Sequence, residues 1–188
     1  MIRPERPDDH DAVRRVVAAA FVEEPEVVDL VDGLRASAQL RASLVAEVDG
    51  AVVGHVMLRR GWVDTEERLV DVLVLSPLAV SPEHQGRGLG GELVTAAVAT
   101  ATELGAPAVF LEGDPGYYRR LGFEPGADHG FQTPSDRIPG PAFQVVLLPA
   151  HEPGQTGRLV YPEVFWALDC VGLRGEHLAG VRAALGDT

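Results

Sequence analysis

Cysteine and long apolar runs are scarce in this 188-residue sequence, and both shortages narrow the possible functions. Cys170 is the single cysteine, so neither an intrachain disulfide nor a cluster of metal-binding thiolates can form. Every apolar run is far shorter than the about 20 residues of a membrane-spanning helix, and the first residues lack the apolar stretch of a signal peptide. These absences predict a cytoplasmic protein that does not associate with membranes.

Basic residues are also few. Lys and Arg number 16 against 28 Asp and Glu, so the formal net charge is -12 at pH 7. A nucleic-acid-binding protein needs a basic face that displaces counterions from the phosphates, and this class is therefore excluded. The acidic field modestly favours a cationic small molecule, whereas an anionic cofactor would depend on backbone donors and a few arginines. The six histidines are scattered, so we expect no metal site.

The rest of the composition is ordinary for one globular domain, with 46% hydrophobic and 23% charged residues. Apolar residues three and four positions apart predict helices, and short apolar or alternating runs predict strands. The predicted helices cover about residues 10–21, 26–38, 88–104, 115–121 and 175–185. The predicted strands cover about residues 2–4, 44–48, 52–58, 70–80, 108–111, 143–148 and 158–166. This order predicts an α/β (α+β) fold, a mixed sheet with helices on both faces.

The connections between these elements carry further expectations. Asp49-Gly50 is the preferred residue pair of a type I′ turn and predicts a β-hairpin. Residues 62–68 are predicted as a polar connection, and residues 126–141, rich in Gly, Pro and Asp, as a long loop. Pro77 lies inside the apolar strand 70–80. It indicates a bulge or a strand edge, because proline cannot donate a ladder hydrogen bond.

A glycine-rich turn at residues 85–91 is the most informative part of the sequence. It follows a strand and opens a long helix, so that backbone N–H groups converge on one point and glycines let a bulky anion approach. Such a helix N-terminus is a diphosphate site. Single contacts there contribute roughly 0.3–2 kcal/mol, whereas micromolar affinity needs about 8 kcal/mol. The ligand must therefore also lie along another element, and the preceding strand is the candidate.

Three segments resemble one family of enzymes. Gln85-Gly-Arg-Gly-Leu-Gly90 resembles the Gln/Arg-x-x-Gly-x-Gly/Ala signature of the GCN5-related N-acetyltransferases (GNAT), which binds the pyrophosphate of coenzyme A. Leu78-Ala-Val-Ser-Pro82 is similar to the family's fourth strand, and Tyr117-Tyr-Arg-Arg-Leu-Gly-Phe123 resembles its second signature. The resemblance covers residues 1–125. It is looser over 143–165, where the chain is similar to bacterial predicted acetyltransferases with a Gly-Asp-Pro-x-Tyr-Tyr segment.

This resemblance implies a GNAT fold, with a mostly antiparallel central sheet of about seven strands whose fourth and fifth strands splay apart near Pro77. It implies an acetyltransferase domain at residues 1–166. Residues 167–188 lie outside the resemblance and are expected to form a helical C-terminal extension. The resemblance also implies acetyl-CoA as the cosubstrate, no metal, and direct attack by a primary amine in a ternary complex. The acceptor, a small-molecule or peptide amine, is left open, and so is a homodimer.

The resemblance also assigns roles to individual residues. The expected cofactor contacts are Leu78, Ala79, Val80, Gln85, Gly86, Arg87, Gly88, Leu89, Gly90, Gly91 and Tyr118. The Leu78 N–H would polarise the acetyl carbonyl, and the Val80 backbone would pair with the pantetheine arm. Tyr118 would be the general acid that supplies a proton or a hydrogen bond to the leaving thiolate, with Tyr117 as a packing aromatic. His84 and Arg87 are further candidates for the phosphates.

The general base is an open question. Many relatives carry a glutamate on or near the fourth strand, where this sequence has Ser76-Pro77-Leu78. An ordinary amine costs roughly 4–5 kcal/mol to deprotonate at pH 7, so the departure matters. Glu112 and Asp114, at the end of the next strand, are substitutes that could act through water. For Asp114 the alternative is an N-cap on the following helix.

Two other functions remain as alternatives. One is a non-catalytic acyl-CoA-binding or regulatory module, which would lack the base. The other is a dinucleotide-binding protein, because Gly86-x-Gly88-x-x-Gly91 matches the NAD fingerprint and Glu112 follows about 20 residues later. Residues 81–85 separate that fingerprint from its strand, however, and few βα pairs follow it. No covalent enzyme intermediate is expected, since Cys170 lies outside the motifs.

Overall fold

The computed structural model describes residues 1–185. The helices are α1 (His10–Ala20), α2 (Glu26–Ala36), α3 (Leu89–Glu103), α4 (Pro115–Tyr118), α5 (Glu163–Ala167) and α6 (Gly175–Leu185). The strands are β1 (Ile2–Pro4), β2 (Leu40–Val48), β3 (Ala51–Asp64), β4 (Leu69–Val80), β5 (Ala108–Glu112), β6 (Glu124–Pro125), β7 (Phe131–Gln132), β8 (Phe143–Leu147) and β9 (Gly157–Val160). Short 3₁₀ turns join several of them.

All of these strands belong to one 9-stranded sheet. Its main path runs β1-β2-β3-β4-β5-β8-β6, and β9 pairs with β3 and with β7. Neighbours are antiparallel except for β4–β5 and β7–β9. The predicted mixed, mostly antiparallel sheet is therefore confirmed. A doubly wound dinucleotide-binding fold needs a mostly parallel sheet, so that alternative is excluded.

The predicted β2–β3 hairpin is also confirmed. Asp49 and Gly50 have φ angles of 50° and 79°, the positive values that a type I′ turn requires. The polar connection predicted at residues 62–68 is wrong in its first part, because β3 continues to Asp64. The partner that makes this extension possible is β9, which pairs with it from Trp62 to Asp64. The chain turns only at residues 65–68.

The strand predicted at residues 158–166 is correct only as far as residue 160. Residues 163–166 lie in α5, which begins directly after Pro162. An apolar run this short fits one turn of helix as well as a strand, and the packing of Phe165 into the core decides in favour of the helix. The loop predicted at 126–141 is irregular apart from 3₁₀ turns and the short β7.

Helices cover both faces of the sheet and create two apolar cores. On one face, α3 packs through residues such as Leu93 against Val56 of β3. On the other face, α1, α2 and α5 contribute Val17, Leu34 and Phe165 to a larger core. Burying apolar side chains on both sides of the sheet contributes roughly 25 cal/mol per Å² and fixes the positions of the strand ends between the helices.

A fork between β4 and β5 is the feature that positions the site. The two strands pair in parallel only at Leu73↔Val109 and Val74↔Phe110. Beyond Val74, β4 continues to residue 80 without β5 as a partner, and its register with β3 shifts beside Ser76 and Pro77. The splayed strands predicted near Pro77 are therefore present, and they leave a gap whose edge carries free backbone groups.

The C-terminal helix α6 has the bounds predicted for it, Gly175–Leu185. The chain before it packs on the domain, since Val171 is buried in the larger core. Arg182 in the helix donates from Nη2 to the Asp136 carbonyl oxygen at 2.7 Å. The boundary at residue 166 stays a prediction, and residues 186–188 of the expected extension lie outside the described residues. Within residues 1–185, no helix combines the length and apolar character needed to cross a membrane.

Candidate active site

The glycine-rich turn links the end of β4 to the N-terminus of α3. Gly86 and Gly88 have φ angles of 72° and 88°, which glycine adopts without the steric cost that other residues meet. Gly88 is the N-cap of α3, and its carbonyl oxygen accepts from the Glu92 N–H at 3.1 Å. The N–H groups of the first helical turn consequently have no partner within the helix and point outward. This geometry suits an anion, as the sequence predicts.

The Gln85 side chain turns back toward the strand. Its Nε2 donates to the Val80 carbonyl oxygen at 2.9 Å. Ser81, the last residue tied to β3, donates its N–H to the Val53 carbonyl oxygen at 2.9 Å. These two hydrogen bonds hold the turn to the strand from both sides, so the diphosphate site is fixed relative to the β4 edge.

The backbone of β4 beyond the fork offers donors to the gap. Successive residues of a strand direct their N–H and C=O groups to opposite edges. Ser81 is bonded to β3, so Ala79, two residues earlier, also faces β3. Leu78 and Val80 therefore face the opposite edge, which borders the gap. The hydrogen bond that Gln85 donates to the Val80 carbonyl oxygen agrees with this orientation, because that oxygen is not used by β3. The N–H groups of Leu78 and Val80 are thus available to a ligand. The Ala79 backbone instead pairs with His55 of β3.

A cavity of about 740 Å³ opens in front of the turn. Its wall consists of Leu78, Val80, His84, Gln85, Gly86, Gly88, Leu89, Gly90, Gly91, Tyr117 and Arg120. It combines a row of backbone donors with one guanidinium and one imidazole, a set that suits an anion. Gly90 is required by close packing, since a Cβ there would lie 2.5 Å from the Tyr117 hydroxyl oxygen.

A second cavity of about 850 Å³ lies on the side of the sheet covered by α1, α2 and α5. It shares Leu78 and Tyr117 with the first cavity. An extended ligand can therefore bind its anionic end at the turn and place its other end in the second cavity, next to the Leu78 N–H. Two reactants could meet at this junction.

Tyr118 lines the second cavity, and Tyr117 lines both. The two rings meet edge to face with centroids 4.9 Å apart, and Phe123 packs on Tyr118 at 5.8 Å. Burial, with smaller contributions from Tyr117 and Asp114, raises the pKa of Tyr118 above its usual range. Its phenol therefore keeps its proton at every pH at which the protein is used, which is the state that a general acid needs.

Glu112 and Asp114 differ in what holds them. The Glu112 carboxylate accepts a hydrogen bond from the Tyr161 hydroxyl at 2.6 Å, and burial raises the pKa of this carboxyl. Asp114 is exposed, and its Oδ1 accepts from the Gly116 N–H at 2.8 Å as the N-cap of α4. Both line the second cavity. Burial therefore moves the pKa of Glu112 toward neutrality.

Arg59, which pattern reasoning did not select, is central to the second cavity. Arg59 of β3 is fully buried, and its guanidinium lies over the rings of Tyr161 and Phe165, at 4.5 Å and 3.1 Å from the centroids. Nothing near Arg59 in the sequence signals these partners, which lie about 100 residues further along the chain. Arg120 in the first cavity was also missed, although its place inside the second signature could have indicated it.

Cys170 lies nearer to the chemistry than its position in the sequence suggests. It lines the second cavity, and its Sγ is 3.5 Å from the Leu168 carbonyl oxygen. Burial raises the pKa of the thiol to about 11, so the nucleophilic thiolate is scarce at neutral pH. This environment fits a direct transfer better than a covalent intermediate on sulfur.

The structure brings most of the predicted residues together. Eight of the predicted cofactor contacts line the first cavity, and Tyr118, Glu112 and Asp114 line the second. Arg87 is exposed and is not part of either wall, and Ala79 faces the sheet. Among the residues that the structure describes, no group of three or more His, Cys, Asp or Glu side chains is arranged to hold a metal ion.

Comparisons with known proteins agree with this geometry. The family model of the acetyltransferase (GNAT) domain matches residues 1–126. The uncharacterized N-acetyltransferase YhbS of Escherichia coli K12 is 35% identical over 169 residues, which are 88% of this chain and 98% of the relative. The crystal structure of YhbS in complex with CoA has a TM-score of 0.79 at 32% identity and covers 88% of this chain and 91% of that one. A GNAT family acetyltransferase from Brucella melitensis in complex with acetyl-CoA has a TM-score of 0.72 at 33% identity, with coverage of 88% and 97%.

Proposed function

Because the chain belongs to the GNAT family of acetyltransferases, we propose that it transfers an acetyl group from acetyl-CoA to a primary amine in a ternary complex. The observation that carries the proposal is the junction of the two cavities at Leu78 and Tyr117. One cavity offers a diphosphate site, and the other offers room for an acceptor. Two relatives with the same fold were solved with CoA and with acetyl-CoA, which supports the assignment of the first cavity.

The acyl donor is held by backbone groups in this proposal. N–H groups of the first turn of α3 bind the diphosphate, and the Arg120 guanidinium at the wall adds positive charge. The N–H groups of Leu78 and Val80 face the thioester arm along the β4 edge. Such fixed donors suit an acidic chain, because they attract the anion locally without adding net charge.

The acceptor amine attacks the acetyl carbon, and the carbon–sulfur bond then breaks. The Leu78 N–H donates to the carbonyl oxygen as negative charge develops on it, a contribution of roughly 3 kcal/mol for one preorganised donor. Tyr118 gives its proton to the departing sulfur, and the second proton that the nitrogen loses on becoming an amide restores Tyr118 through solvent. Holding both reactants at the junction makes the attack effectively unimolecular, so no covalent enzyme intermediate is needed.

Glu112 is the base in this proposal. Its raised pKa makes it a better proton acceptor than an ordinary glutamate, and the Tyr161 hydroxyl fixes the orientation of its carboxylate. The proton leaves the ammonium group of the acceptor for Glu112, directly or through one water. Asp114 contributes the N-cap that sets the start of α4, and with it the positions of Tyr117 and Tyr118.

Thiol release from acetyl-CoA in the presence of an amine panel tests the proposal, with the acetylated product identified by mass spectrometry. The chain contains no lysine, so acetylation of its own side-chain amines does not contribute to the signal. Amine-dependent thiol release together with CoA binding by calorimetry is the expected result. Binding of CoA without thiol release from any amine would identify a non-catalytic acyl-CoA module, and the absence of CoA binding would overturn the proposal.

A further inference from the structure

Arg59 is a buried cation with too few partners. Its exposed fraction is 0%, and among the described residues neither Nε nor Nη1 has a hydrogen-bond partner. No described Asp or Glu forms a salt bridge with it within 4.0 Å. Buried polar groups in native proteins are almost always hydrogen-bonded, and a buried charge without a counter-ion is costly. The unpartnered donors therefore need an acceptor that the described residues do not supply.

The nearest candidate for a counter-ion is already engaged. Glu112 accepts from Tyr161, and burial, which raises the pKa of Glu112, weakens it as a full negative charge. Burial also lowers the pKa of Arg59, to about 9, so the guanidinium is still charged at neutral pH. Aromatic contact with Tyr161 and Phe165 stabilises the flat faces of the cation but leaves Nε and Nη1 without an acceptor among the described residues.

Arg59 lines the second cavity, which the proposed function assigns to the acceptor. The other charged residues of that wall are acids, namely Glu24, Glu26, Glu112, Asp114 and Asp169. Acids of this number attract the ammonium group of an amine. The single buried guanidinium among these acids repels the cationic ammonium group of a plain amine, so it does not help to bind one. Its natural ligand is a carboxylate, which accepts N–H donors with strong charge-assisted hydrogen bonds.

We propose that the acceptor is an amino-carboxylate, a small molecule whose amine reacts at Leu78 and whose carboxylate binds Arg59. This inference rests on the proposed function. It also fits the spacing along β3, where Arg59 lies three residues beyond Val56, the partner of Leu78. Three residues of strand correspond to roughly 10 Å, and the long arginine side chain shortens the distance to be bridged.

Matched acceptor pairs test the proposal. The probes are glycine, β-alanine, 4-aminobutyrate, leucine and lysine, each compared with the amine that lacks its carboxylate, and with the corresponding amide. The wild-type protein is expected to acetylate at least one amino-carboxylate with a kcat/KM about 100-fold above its two analogues, since a site built around a polar group rejects a ligand that lacks it. Equal rates within every pair, or a preference for the amides, would overturn it.

Substitution of Arg59 supplies the second arm. Arg59→Met should fold, because apolar replacements of buried charges are often neutral or stabilising. It should remove the preference by lowering kcat/KM for the amino-carboxylate about 100-fold more than kcat/KM for the decarboxylated amine. Arg59→Lys, which retains a charge but not the planar donors, should recover part of the preference. CoA affinity should be the same in all three proteins, because Arg59 is not part of the first cavity.

A binding experiment separates this inference from the proposed function. The N-acetylated amino-carboxylates, added to the CoA complex, should raise the thermal midpoint of the wild type but not of Arg59→Met. If no amine is acetylated although these compounds bind through Arg59, the transfer reaction is wrong and the carboxylate site stands. If amines are acetylated but neither preference nor stabilisation depends on Arg59, the carboxylate site is wrong.

Discussion

Removal of the Tyr118 hydroxyl by Tyr118→Phe should reduce turnover strongly and stability hardly at all. The hydroxyl makes no hydrogen bond to another described residue, whereas the ring keeps its contacts with Tyr117 and Phe123. No buried donor or acceptor is left without a partner, so the free energy of unfolding should change by less than about 0.5 kcal/mol. A positioned general acid contributes about 100-fold to 10,000-fold to the rate, and we expect kcat to fall within that range.

Tyr117→Phe is the matched control. It removes a hydroxyl from the neighbouring residue on the same short helix, with the same loss of one oxygen atom. Stopped-flow detection of free thiol gives kcat for both variants under saturating acetyl-CoA. Tyr117→Phe should retain kcat within about threefold, because its ring, and not its hydroxyl, fills the junction between the cavities.

The pH dependence distinguishes a chemical role from a merely structural one. Since burial raises the pKa of Tyr118, the wild-type phenol stays protonated through mildly alkaline solution, and the ratio of the two rates should be constant from pH 6 to about 9. Two results would refute the reasoning. One is an unchanged kcat in Tyr118→Phe. The other is a large loss in Tyr117→Phe instead, which would transfer the role to Tyr117.

Three further predictions concern neighbouring parts of the molecule. Glu112→Gln should lower kcat/KM about 100-fold and abolish the rise of activity with pH through the raised pKa of Glu112, as a pH–rate profile would show. Gly90→Ala should weaken CoA binding about tenfold in calorimetry, because the new Cβ would lie 2.5 Å from the Tyr117 hydroxyl oxygen. The double variant with Tyr117→Phe lacks that oxygen and should bind CoA as the wild type does. Burial alone would raise the pKa of Glu5, but the neighbouring His55 and the hydrogen bonds that the carboxylate accepts from Ser43 and Arg35 outweigh it and lower the pKa to about 2. A depressed acid stabilises the fold above its unfolded pKa of about 4.5, so the stability lost in Glu5→Gln should shrink between about pH 4.5 and 2 in urea titrations.

The sequence predicts those parts of the fold that depend on neighbours along the chain. The Asp49-Gly50 hairpin and the helix after residues 85–88 follow from local turn chemistry, and both are present. The errors fall where distant segments decide. Residues 62–64 form a strand because β9, almost 100 residues later, pairs with them. No periodicity within a short window contains that information.

The candidate site divides in the same way. The glycine turn and the Tyr117-Tyr118 segment are contiguous, so their residue types alone predict an anion site and an acid. Arg59 and Arg60 are adjacent in a mostly apolar strand, and only the packing of Tyr161 over Arg59 distinguishes the buried cation from its neighbour. The half of the site that binds the cofactor could therefore be predicted from the sequence, and the half that selects the acceptor could not.

The distribution of charge explains how an acidic chain can use an anionic cosubstrate. Among the described residues that line the first cavity there is no Asp or Glu, and its donors are mainly backbone N–H groups, which carry no net charge. The acids are concentrated at the second cavity, where the proposed amine acceptor would bind. Within a Debye length of about 8 Å at physiological salt, each ligand responds mainly to its own wall. The formal charge of -12 therefore does not oppose binding of the diphosphate. The two cavities meet at the fork of the sheet, and their different linings favour an anion in the first cavity and a cation in the second.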